Sequence, residues 1–322
     1  MHPVMLRIFG FPIHSYGVML ACAFLFGIWL MTRQVKAFGD DPDDVQNFSL
    51  WVLLSSILGA RLFHCFVFWE HYAHQPWMIF NVREGGLVFY GGFIGGAVGG
   101  LIFLKLKKKN MAAWADFVAP LLASGLAIAR IGCTLAGCCY GKACPENFPL
   151  AITFPPETVG LAGVPLYPTQ PAESFFSFLI FLALYFVIRP RKKFHGEVMA
   201  YFLVMYGIVR STLEFFRNDP RGFLGLFSVS GDPGMTAENA SGLWKVLLYT
   251  EAAFEKTAGL YQIQLSESQA VSLIFFVIAG VFFIVLPKRT PVDRVTETAP
   301  KPRETVSGKT GGTGKRKKRK GR

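Results

Sequence analysis

The sequence predicts an all-α, polytopic integral membrane protein with seven transmembrane helices and a cap outside the membrane. The chain of 322 residues is 52% hydrophobic and contains 32 Phe, which is more apolar surface than a soluble protein would bury. Several apolar runs approach the roughly 20 residues that cross the hydrocarbon core of a bilayer. Arginines nevertheless occur inside three of these runs, and they are the most informative residues of the chain.

Seven apolar runs are the predicted helices, at about 16–33, 48–69, 87–106, 114–136, 173–189, 197–216 and 269–287. Together they form one membrane domain, residues 1–287, with long outer loops at about 137–172 and 218–268. The first of these loops is rich in Pro and Gly but retains apolar residues, which is typical of a structured cap. Residues 288–322 form a separate basic tail.

The distribution of basic residues predicts the orientation. Lys and Arg follow the first, third and fifth runs, whereas the other short loops are poor in them. By the positive-inside rule, the N-terminus faces outward and the tail lies in the cytoplasm. The net charge of +12 therefore requires no nucleic-acid partner.

The tail beyond Pro287 carries thirteen Lys and Arg residues and ends close to the run KRKKRK. It is polar, rich in Pro, Gly, Ser and Thr, and is predicted to be disordered. Its basic end is expected to contact anionic lipid headgroups, at about 1 kcal/mol per charge.

Arg61, Arg130 and Arg210 lie within apolar runs. An arginine at the bilayer centre costs about 2.5–3.5 kcal/mol on insertion scales and stays charged, so it needs an anionic partner. A guanidinium can donate hydrogen bonds to two oxygen atoms of one phosphate, which favours a protein that binds a lipid phosphate. The alternative is pairing with internal carboxylates; Glu214 and Arg217 share a helical face with Arg210.

Glycine doublets open the third run, in REGGLVFYGGFIGGAVGG. Those at 95/96 and 99/100 form a small-xxx-small face that lets helices approach closely. Gly85 and Gly86 precede the helix and are predicted to form a turn near a site at the outer surface.

Four cysteines occur within twelve residues, Cys133, Cys138, Cys139 and Cys144. Zinc sites typically use C-x2-C pairs, and the C-x4-C-C-x4-C pattern of these cysteines is not a recognised zinc spacing. Packing or a disulfide is the favoured interpretation, with a metal site and a nucleophile as alternatives. No metal or cofactor is therefore expected.

Four motifs in order make the chain resemble the prolipoprotein diacylglyceryl transferase family. They are REGGLVFYGG, ARIG followed by CYGK, YPTQPAES, and YGIVRSTLEFFRND. The resemblance runs from Tyr16 to about Asp219, with a weaker echo in LSESQAVSL. It implies transfer of the diacylglyceryl group of phosphatidylglycerol to the lipobox cysteine of a prolipoprotein, at the bacterial inner membrane. Glycerol phosphate is released on the outer side.

The resemblance also implies the site residues. Arg130 and Arg210 match the family's essential arginines, Tyr16 matches a tyrosine in the first span, and Gly141 matches the glycine that closes the signature. Catalysis is expected to depend on Arg130, Arg210, Tyr90 and Glu214. Phosphatidylglycerol binding is expected to depend on Arg130, Arg210, Tyr16, Arg61, Gly141, Arg217, Gln170 and Glu173.

Three features depart from the family pattern. Tyr90 occupies the position where relatives often carry histidine, the candidate base, and tyrosine is a poor base at neutral pH. Glu173, Glu214 or solvent would then take the thiol proton. The signature has cysteines and alanine where many relatives have asparagine and glutamate, and the loop 218–268 is long for the family.

Three other functions are compatible with parts of this pattern. A transporter or flippase could line its pathway with the arginines, but it would be expected to show two related halves, and no repeat is evident. A membrane thiol-redox or metal protein could be built on the cysteines. A paralogue could keep the lipid site and use another acceptor, which Tyr90 makes worth considering.

Overall fold

The computed structural model describes residues 3–8, 11–73, 76–80, 86, 88–155, 163–218, 223–230, 253–257 and 260–291. Helices dominate this part of the chain. They are α1 (Ser15–Phe38), α2 (Asp43–Val67), the short α3 (Trp69–Ala73), α4 (Phe89–Leu106), α5 (Met111–Ala136), α6 (Thr169–Leu182), α7 (Glu197–Glu214) and α8 (Glu267–Arg289). A 3₁₀ turn follows α3 at Pro76–Phe80, and α6 continues through a π-helical turn, Ala183–Ile188, and a 3₁₀ turn, Arg189–Arg191.

Each of the seven predicted runs is helical. Within the described residues, six helices are long and apolar enough to cross a membrane: α1, α2, α4, α5, α6 with its extension, and α8. The exception is α7, because its 18 residues include three charged ones, Glu197, Arg210 and Glu214. The helical, multi-pass class is confirmed, whereas the count of seven spans and their orientation stay predictions.

Short strands occur between the helices and at the N-terminus. β1 (Val4–Ile8) pairs with β2 (Phe11–His14), and β3 (Ile152–Thr153) with β4 (Pro165–Leu166), both antiparallel. Strands β5 (Phe223–Ser230), β6 (Ala253–Thr257) and β7 (Leu260–Ser266) form an antiparallel sheet in the order β5-β7-β6. Strands β3 to β7 thus fall in the two predicted outer loops. The predicted disordered tail lies outside the described residues from residue 292 onward.

Helices α2 and α4 pack through glycines. A Cβ atom added to Gly59 of α2 would meet the carbonyl oxygen of Gly91 and would lie 2.8 Å from Cα of Gly95. Added Cβ atoms at Gly96 and Gly99 would run into the hydroxyls of serines on α2. The predicted small-residue face is therefore a close helix contact, where no larger side chain fits without a shift.

Two apolar clusters fill the bundle. One joins α1, α5, α6, α7 and α8 around residues such as Leu30, Ala119, Leu184 and Phe202. The other joins α1, α2, α4 and α5 through edge-to-face aromatic contacts, with ring centroids 5.3 Å apart for Phe48 and Trp114. Large apolar side chains elsewhere on these helices are exposed, as expected for surfaces that face lipid.

One end of the bundle carries the basic loops. Lys109, between α4 and α5, pairs with Asp40 at 3.1 Å and Asp44 at 2.8 Å. At the same end, the His195 backbone N–H donates to the carbonyl oxygen of Thr290 at 3.0 Å. Because α5 begins here and ends after 26 residues at Ala136, its C-terminus lies at the opposite end of the bundle.

A buried carboxylate sets the start of α7. Asp116, 1% exposed, accepts hydrogen bonds from the backbone N–H groups of Gly196 (2.9 Å), Val198 (2.9 Å) and Met199 (3.2 Å). Buried Lys192 lies 3.8 Å away. Asp116 thereby satisfies orphan donors of the first turn and complements the helix dipole. This fixes α7 against α5 and so positions the charged residues at the far end of α7.

Candidate functional site

The polar site lies at the end of the bundle opposite the basic loops, and Glu173 is its centre. Glu173, in the first turns of α6, is 1% exposed. Its Oε1 atom lies 2.9 Å from Nη2 of Arg130 on α5, and its Oε2 atom lies 3.7 Å from Nη1 of Arg217. One carboxylate therefore ties together two guanidiniums from distant parts of the chain.

A second carboxylate holds Arg210. Nη1 of Arg210 lies 2.7 Å from Oε2 of Glu214, one turn along α7, and Nε of Arg217 lies 3.8 Å from the same oxygen atom. Nη2 of Arg210 donates to Oγ of Ser268, at the start of α8, at 2.6 Å. Nη1 of Arg210 makes an ion pair but no well-directed hydrogen bond, so it keeps donor capacity for another acceptor.

Tyr206 is a further residue of the site, which the sequence analysis did not identify. It lies one turn before Arg210 on α7, and its hydroxyl donates to Oε1 of Glu173 at 3.2 Å. The charges of both Arg130 and Arg210 act on this hydroxyl. The spacing of four residues from Arg210 was the available signal, because it places Tyr206 on the charged face of α7.

Among the described residues, the ion pairs of this network join three arginines to two glutamates. Three arginines, Arg130, Arg210 and Arg217, are held by two glutamates, Glu173 and Glu214. Taken by themselves, these five side chains carry one net positive charge. A monoanion with several acceptor oxygen atoms is suited to lie against such a group.

After α5 ends, the chain turns back over the site. Gly137 caps α5 in the left-handed conformation (φ 74°), and Cys139 is also left-handed (φ 61°). Gly141 then forms an antiparallel bridge with Arg217. A Cβ atom at Gly141 would meet the carbonyl oxygen of Tyr167 and would lie 3.0 Å from that of Phe216. Gly141 therefore permits the close pairing that positions Arg217.

Gln170 holds the same turn from the other side. Buried and 1% exposed, it donates from Nε2 to the carbonyl oxygen of Cys138 at 2.9 Å. Thr169 donates from its hydroxyl to the carbonyl oxygen of Cys139 at 3.3 Å. Gln170 thus supports the turn that follows α5. The fold, rather than closeness in sequence, brings this turn to the start of α6.

Three of the clustered cysteines converge on this turn. The sulfur atoms of Cys133, Cys138 and Cys139 all lie within 4.8 Å of one another. All six cysteines lie in the described residues, and none forms a disulfide bond. Hydrogen bonds from the Cys133 and Cys138 thiols, together with the charges of Arg217 and Arg130, hold the pKa of the Cys139 thiol below its usual range.

Tyr16 lies beside the cysteine turn. The second residue of α1, it packs its Cα close to Gly132, where an added Cβ atom would lie 3.3 Å away. Its hydroxyl is within electrostatic reach of Cys133, Cys138 and Arg130. The side chain is 41% exposed, so Tyr16 can contact a ligand that approaches Arg130 from outside the bundle.

Arg61 makes its described hydrogen bonds with backbone carbonyls. Nε donates to Ile79 at 2.8 Å, Nη1 donates to Gly86 at 3.2 Å, and Nη2 donates to Met78. The guanidinium also lies over the ring of Tyr72, 5.3 Å from its centroid. These contacts hold the 3₁₀ turn Pro76–Phe80 and Gly86, two described parts of the segment between α3 and α4, at the same end of the bundle as the other arginines.

Tyr90 is the second residue of α4, half-buried, and its ring packs edge-to-face against Phe89 with centroids 5.9 Å apart. Its place at the start of α4 puts it at the same end of the bundle, next to the segment that Arg61 holds. Of the site residues expected from the sequence, Arg130, Glu173, Arg210, Glu214 and Arg217 are joined to one another by ion pairs.

Comparison with known proteins identifies the family. The family model described as prolipoprotein diacylglyceryl transferase matches residues 3–285. The chain is 38% identical to phosphatidylglycerol–prolipoprotein diacylglyceryl transferase 2 of Clostridium perfringens over 71% of this chain and 89% of that protein. The enzymes of that name from Clostridium tetani (33% identity, 71% of this chain and 91% of that protein) and Pseudoalteromonas translucida (34%, 70% and 83%) are also similar. The chain belongs to the prolipoprotein diacylglyceryl transferase family.

Proposed function

We propose that this protein transfers the diacylglyceryl group of phosphatidylglycerol to the lipobox cysteine of a prolipoprotein, with release of glycerol phosphate. The observation that carries the proposal is the unbalanced cluster of three arginines and two glutamates. These five side chains by themselves carry one net positive charge, which suits the single negative charge of a phosphodiester. Membership of the family supplies the reaction class.

Arg130 and Arg210 are proposed to bind the phosphate. Glu173 and Glu214 each hold one of these guanidiniums from one side, which fixes its plane and leaves other donors for the lipid. An arginine can then make paired hydrogen bonds to two phosphate oxygen atoms. Arg217 adds charge behind both carboxylates.

The reaction forms one bond and breaks one bond. The acceptor thiolate attacks the glyceryl carbon that is bonded to phosphate oxygen, so a C–S bond forms as the C–O bond breaks. The electron pair stays on the leaving oxygen, and glycerol phosphate departs with one more negative charge than the diester carried. Fixed arginines stabilise that charge without reorganising, and loss of one such donor commonly costs 10²–10³-fold in rate.

The remaining expected residues are proposed to surround the lipid. Tyr16 and Tyr90 would donate hydrogen bonds to the headgroup, and Gln170 and Gly141 would maintain the turn beside it. Arg61 would support the lipid site through the 3₁₀ turn and Gly86 that it holds.

The carboxylates are better suited as anchors than as proton acceptors. Both oxygen atoms of Glu173 and Oε2 of Glu214 face guanidiniums. Protonating either carboxylate would cost ion pairs that hold the arginines in place. The thiol proton therefore needs another route.

The protein is a multi-pass membrane protein, and we place it in the bacterial inner membrane with the site toward the outer side. This follows from the positive-inside distribution of its loops. Phosphatidylglycerol and lipobox signal peptides would be its partners, and the basic tail would contact anionic lipids in the cytoplasmic leaflet.

The test is transfer by purified protein in phosphatidylglycerol vesicles with a synthetic lipobox peptide. The thioether product is measured by mass spectrometry and glycerol phosphate is measured enzymatically. The wild type should form both in equal amounts. Arg130→Ala and Arg210→Ala should lose at least 100-fold in rate, and Arg130→Lys should recover little because lysine lacks the planar fork.

The matched control is Arg33→Ala, an arginine of α1 at the basic end whose guanidinium lies over the Trp29 ring. It should keep wild-type activity. A wild type that forms no thioether, or arginine variants of the site that match Arg33→Ala, would contradict the proposal. Release of glycerol phosphate without thioether would instead indicate another acceptor.

A further inference from the structure

The cysteine turn has the geometry of a metal site that its sequence spacing does not suggest. The sulfur atoms of Cys133, Cys138 and Cys139 lie within 4.8 Å of one another. In a tetrahedral site with Zn–S bonds of about 2.3 Å, neighbouring sulfur atoms are about 3.8 Å apart. Movements of the side chains by about 1 Å therefore suffice to bring the three sulfur atoms to the spacing of zinc ligands.

The backbone explains why an unusual spacing converges. Gly137 ends α5 in the left-handed conformation, and the Cys138 N–H bonds back to the carbonyl oxygen of Cys133 at 3.2 Å. A second left-handed residue, Cys139, folds its own sulfur toward the other two. Gln170 and Thr169 fix this turn through the carbonyls of residues 138 and 139. The three cysteines are thus held by contacts independent of any metal.

We propose that these three cysteines bind a thiophilic divalent cation of the zinc class, and that the acceptor thiol of the prolipoprotein becomes its fourth ligand. The second half rests on the proposed transfer reaction. Catalytic zinc sites characteristically have three protein ligands and one position open to water or substrate. Cys133 is buried whereas Cys138 and Cys139 are half-exposed, which leaves an approach to the fourth position.

A coordinated thiol is deprotonated at neutral pH, so the metal supplies what the carboxylates of the site do not. The acceptor R–SH binds as R–S⁻ and its proton passes to solvent. The bound sulfur then attacks the glyceryl carbon with its electron pair, and glycerol phosphate leaves. The neutral thioether product binds the cation weakly and is released. No electrons are exchanged with any other reagent.

The neighbouring charges suit this arrangement. Four thiolates on a divalent cation carry a net charge of −2, and Arg130 lies beside them, with Nη1 4.0 Å from the sulfur of Cys133. The same guanidinium is held by Glu173 at 2.9 Å and is one of the two that are proposed to bind the phosphate. The attacking sulfur and the leaving phosphate would therefore lie on adjacent sides of Arg130.

Metal binding is tested first, without reference to activity. Full-length protein, purified with a non-thiol reductant, is titrated with Zn²⁺ and with Cd²⁺. We expect one ion per chain by elemental analysis, and a cadmium–thiolate charge-transfer band in the ultraviolet. Cys133→Ser, Cys138→Ser and Cys139→Ser should each weaken binding at least 100-fold. Cys65→Ala and Cys144→Ala, at buried cysteines outside the cluster, should bind as the wild type does.

Failure to bind Zn²⁺ or Cd²⁺, or equal binding by the cluster and control variants, would overturn the metal site. A disulfide within the cluster of protein isolated from membranes, detected by alkylation and mass spectrometry, would also overturn it. Thermal unfolding of each variant checks that loss of binding is not loss of folding.

The catalytic role is tested by removing the ion. Chelation should reduce thioether formation at least 100-fold, Zn²⁺ should restore it, and phosphatidylglycerol binding should be unchanged. Transfer that continues at the wild-type rate in metal-free protein overturns the catalytic role. If the protein binds one Zn²⁺ but forms no thioether in any state, the proposed transfer is wrong while the metal site stands.

Discussion

Arg130 and Glu173 form the ion pair that joins α5 to α6 at the polar end of the bundle, with Nη2 and Oε1 2.9 Å apart. The other oxygen of Glu173 faces Arg217 at 3.7 Å. A single buried carboxylate therefore decides the positions of two guanidiniums that the sequence separates by 87 residues.

Glu173→Gln should impair both stability and activity. Removing the charge leaves two buried guanidiniums without their anchor, and breaking a buried ion pair commonly costs about 3–5 kcal/mol. We expect a lower melting temperature in detergent and a loss of at least 100-fold in kcat/KM for transfer. Glu146→Gln, in an exposed part of the outer loop, is the control and should resemble the wild type. Wild-type activity in Glu173→Gln would show that Arg130 does not depend on this pair.

Tyr206→Phe should lower both activity and stability. The hydroxyl donates to Oε1 of Glu173, and a hydrogen bond to a charged group is worth about 1.5–3 kcal/mol. We expect kcat/KM to fall by about 10-fold or more, while the ring keeps its stacking on Phe202. Tyr201→Phe on the same helix, whose ring contacts Phe283, should leave kcat/KM unchanged. Equal effects of the two changes would remove Tyr206 from the site.

Gly141→Ala should disrupt the site, whereas Gly125→Ala should not. An added methyl group at Gly141 meets the backbone of Tyr167 and Phe216, so the bridge to Arg217 must open. At Gly125, in α5, nothing lies within 4 Å of an added Cβ atom. We expect at least a 10-fold loss of kcat/KM in the first variant. The second should be as stable as the wild type or more so, by up to about 1 kcal/mol, because alanine favours the helix. Full activity of Gly141→Ala would refute this account of the turn.

The helices and the charged face were predictable because their signals are local. Membrane-length apolar runs and the spacing of Arg210, Glu214 and Arg217 depend on residues close in sequence. The pairing of Arg130 with Glu173 was not predictable from periodicity, because it depends on how α5 packs against α6.

The cysteines show the same limit more sharply. Their spacing argued against a metal site, since it lacks a C-x2-C pair. The left-handed residues Gly137 and Cys139 reverse the chain and bring three sulfur atoms together. Positive φ at a non-glycine residue is rare, so a sequence pattern does not foretell it. Arg61 is a similar case, because the backbone carbonyls it binds belong to a segment that the fold brings alongside α2.

Asp116→Ala should destabilise the bundle without acting on the chemistry. The change removes three hydrogen bonds at the start of α7 and leaves buried Lys192 without the nearby carboxylate. A lost cap costs about 1 kcal/mol and breaking a buried ion pair commonly costs about 3–5 kcal/mol, so the expected loss is at least about 3 kcal/mol. Asp116→Ala combined with Lys192→Met should regain part of the melting temperature. Asp116 lies 14 residues before Arg130 on α5, about 21 Å along the helix, so the folded fraction should keep its kcat within about 2-fold. A large fall in kcat at unchanged melting temperature would instead mean that the start of α7 takes part in positioning Arg210.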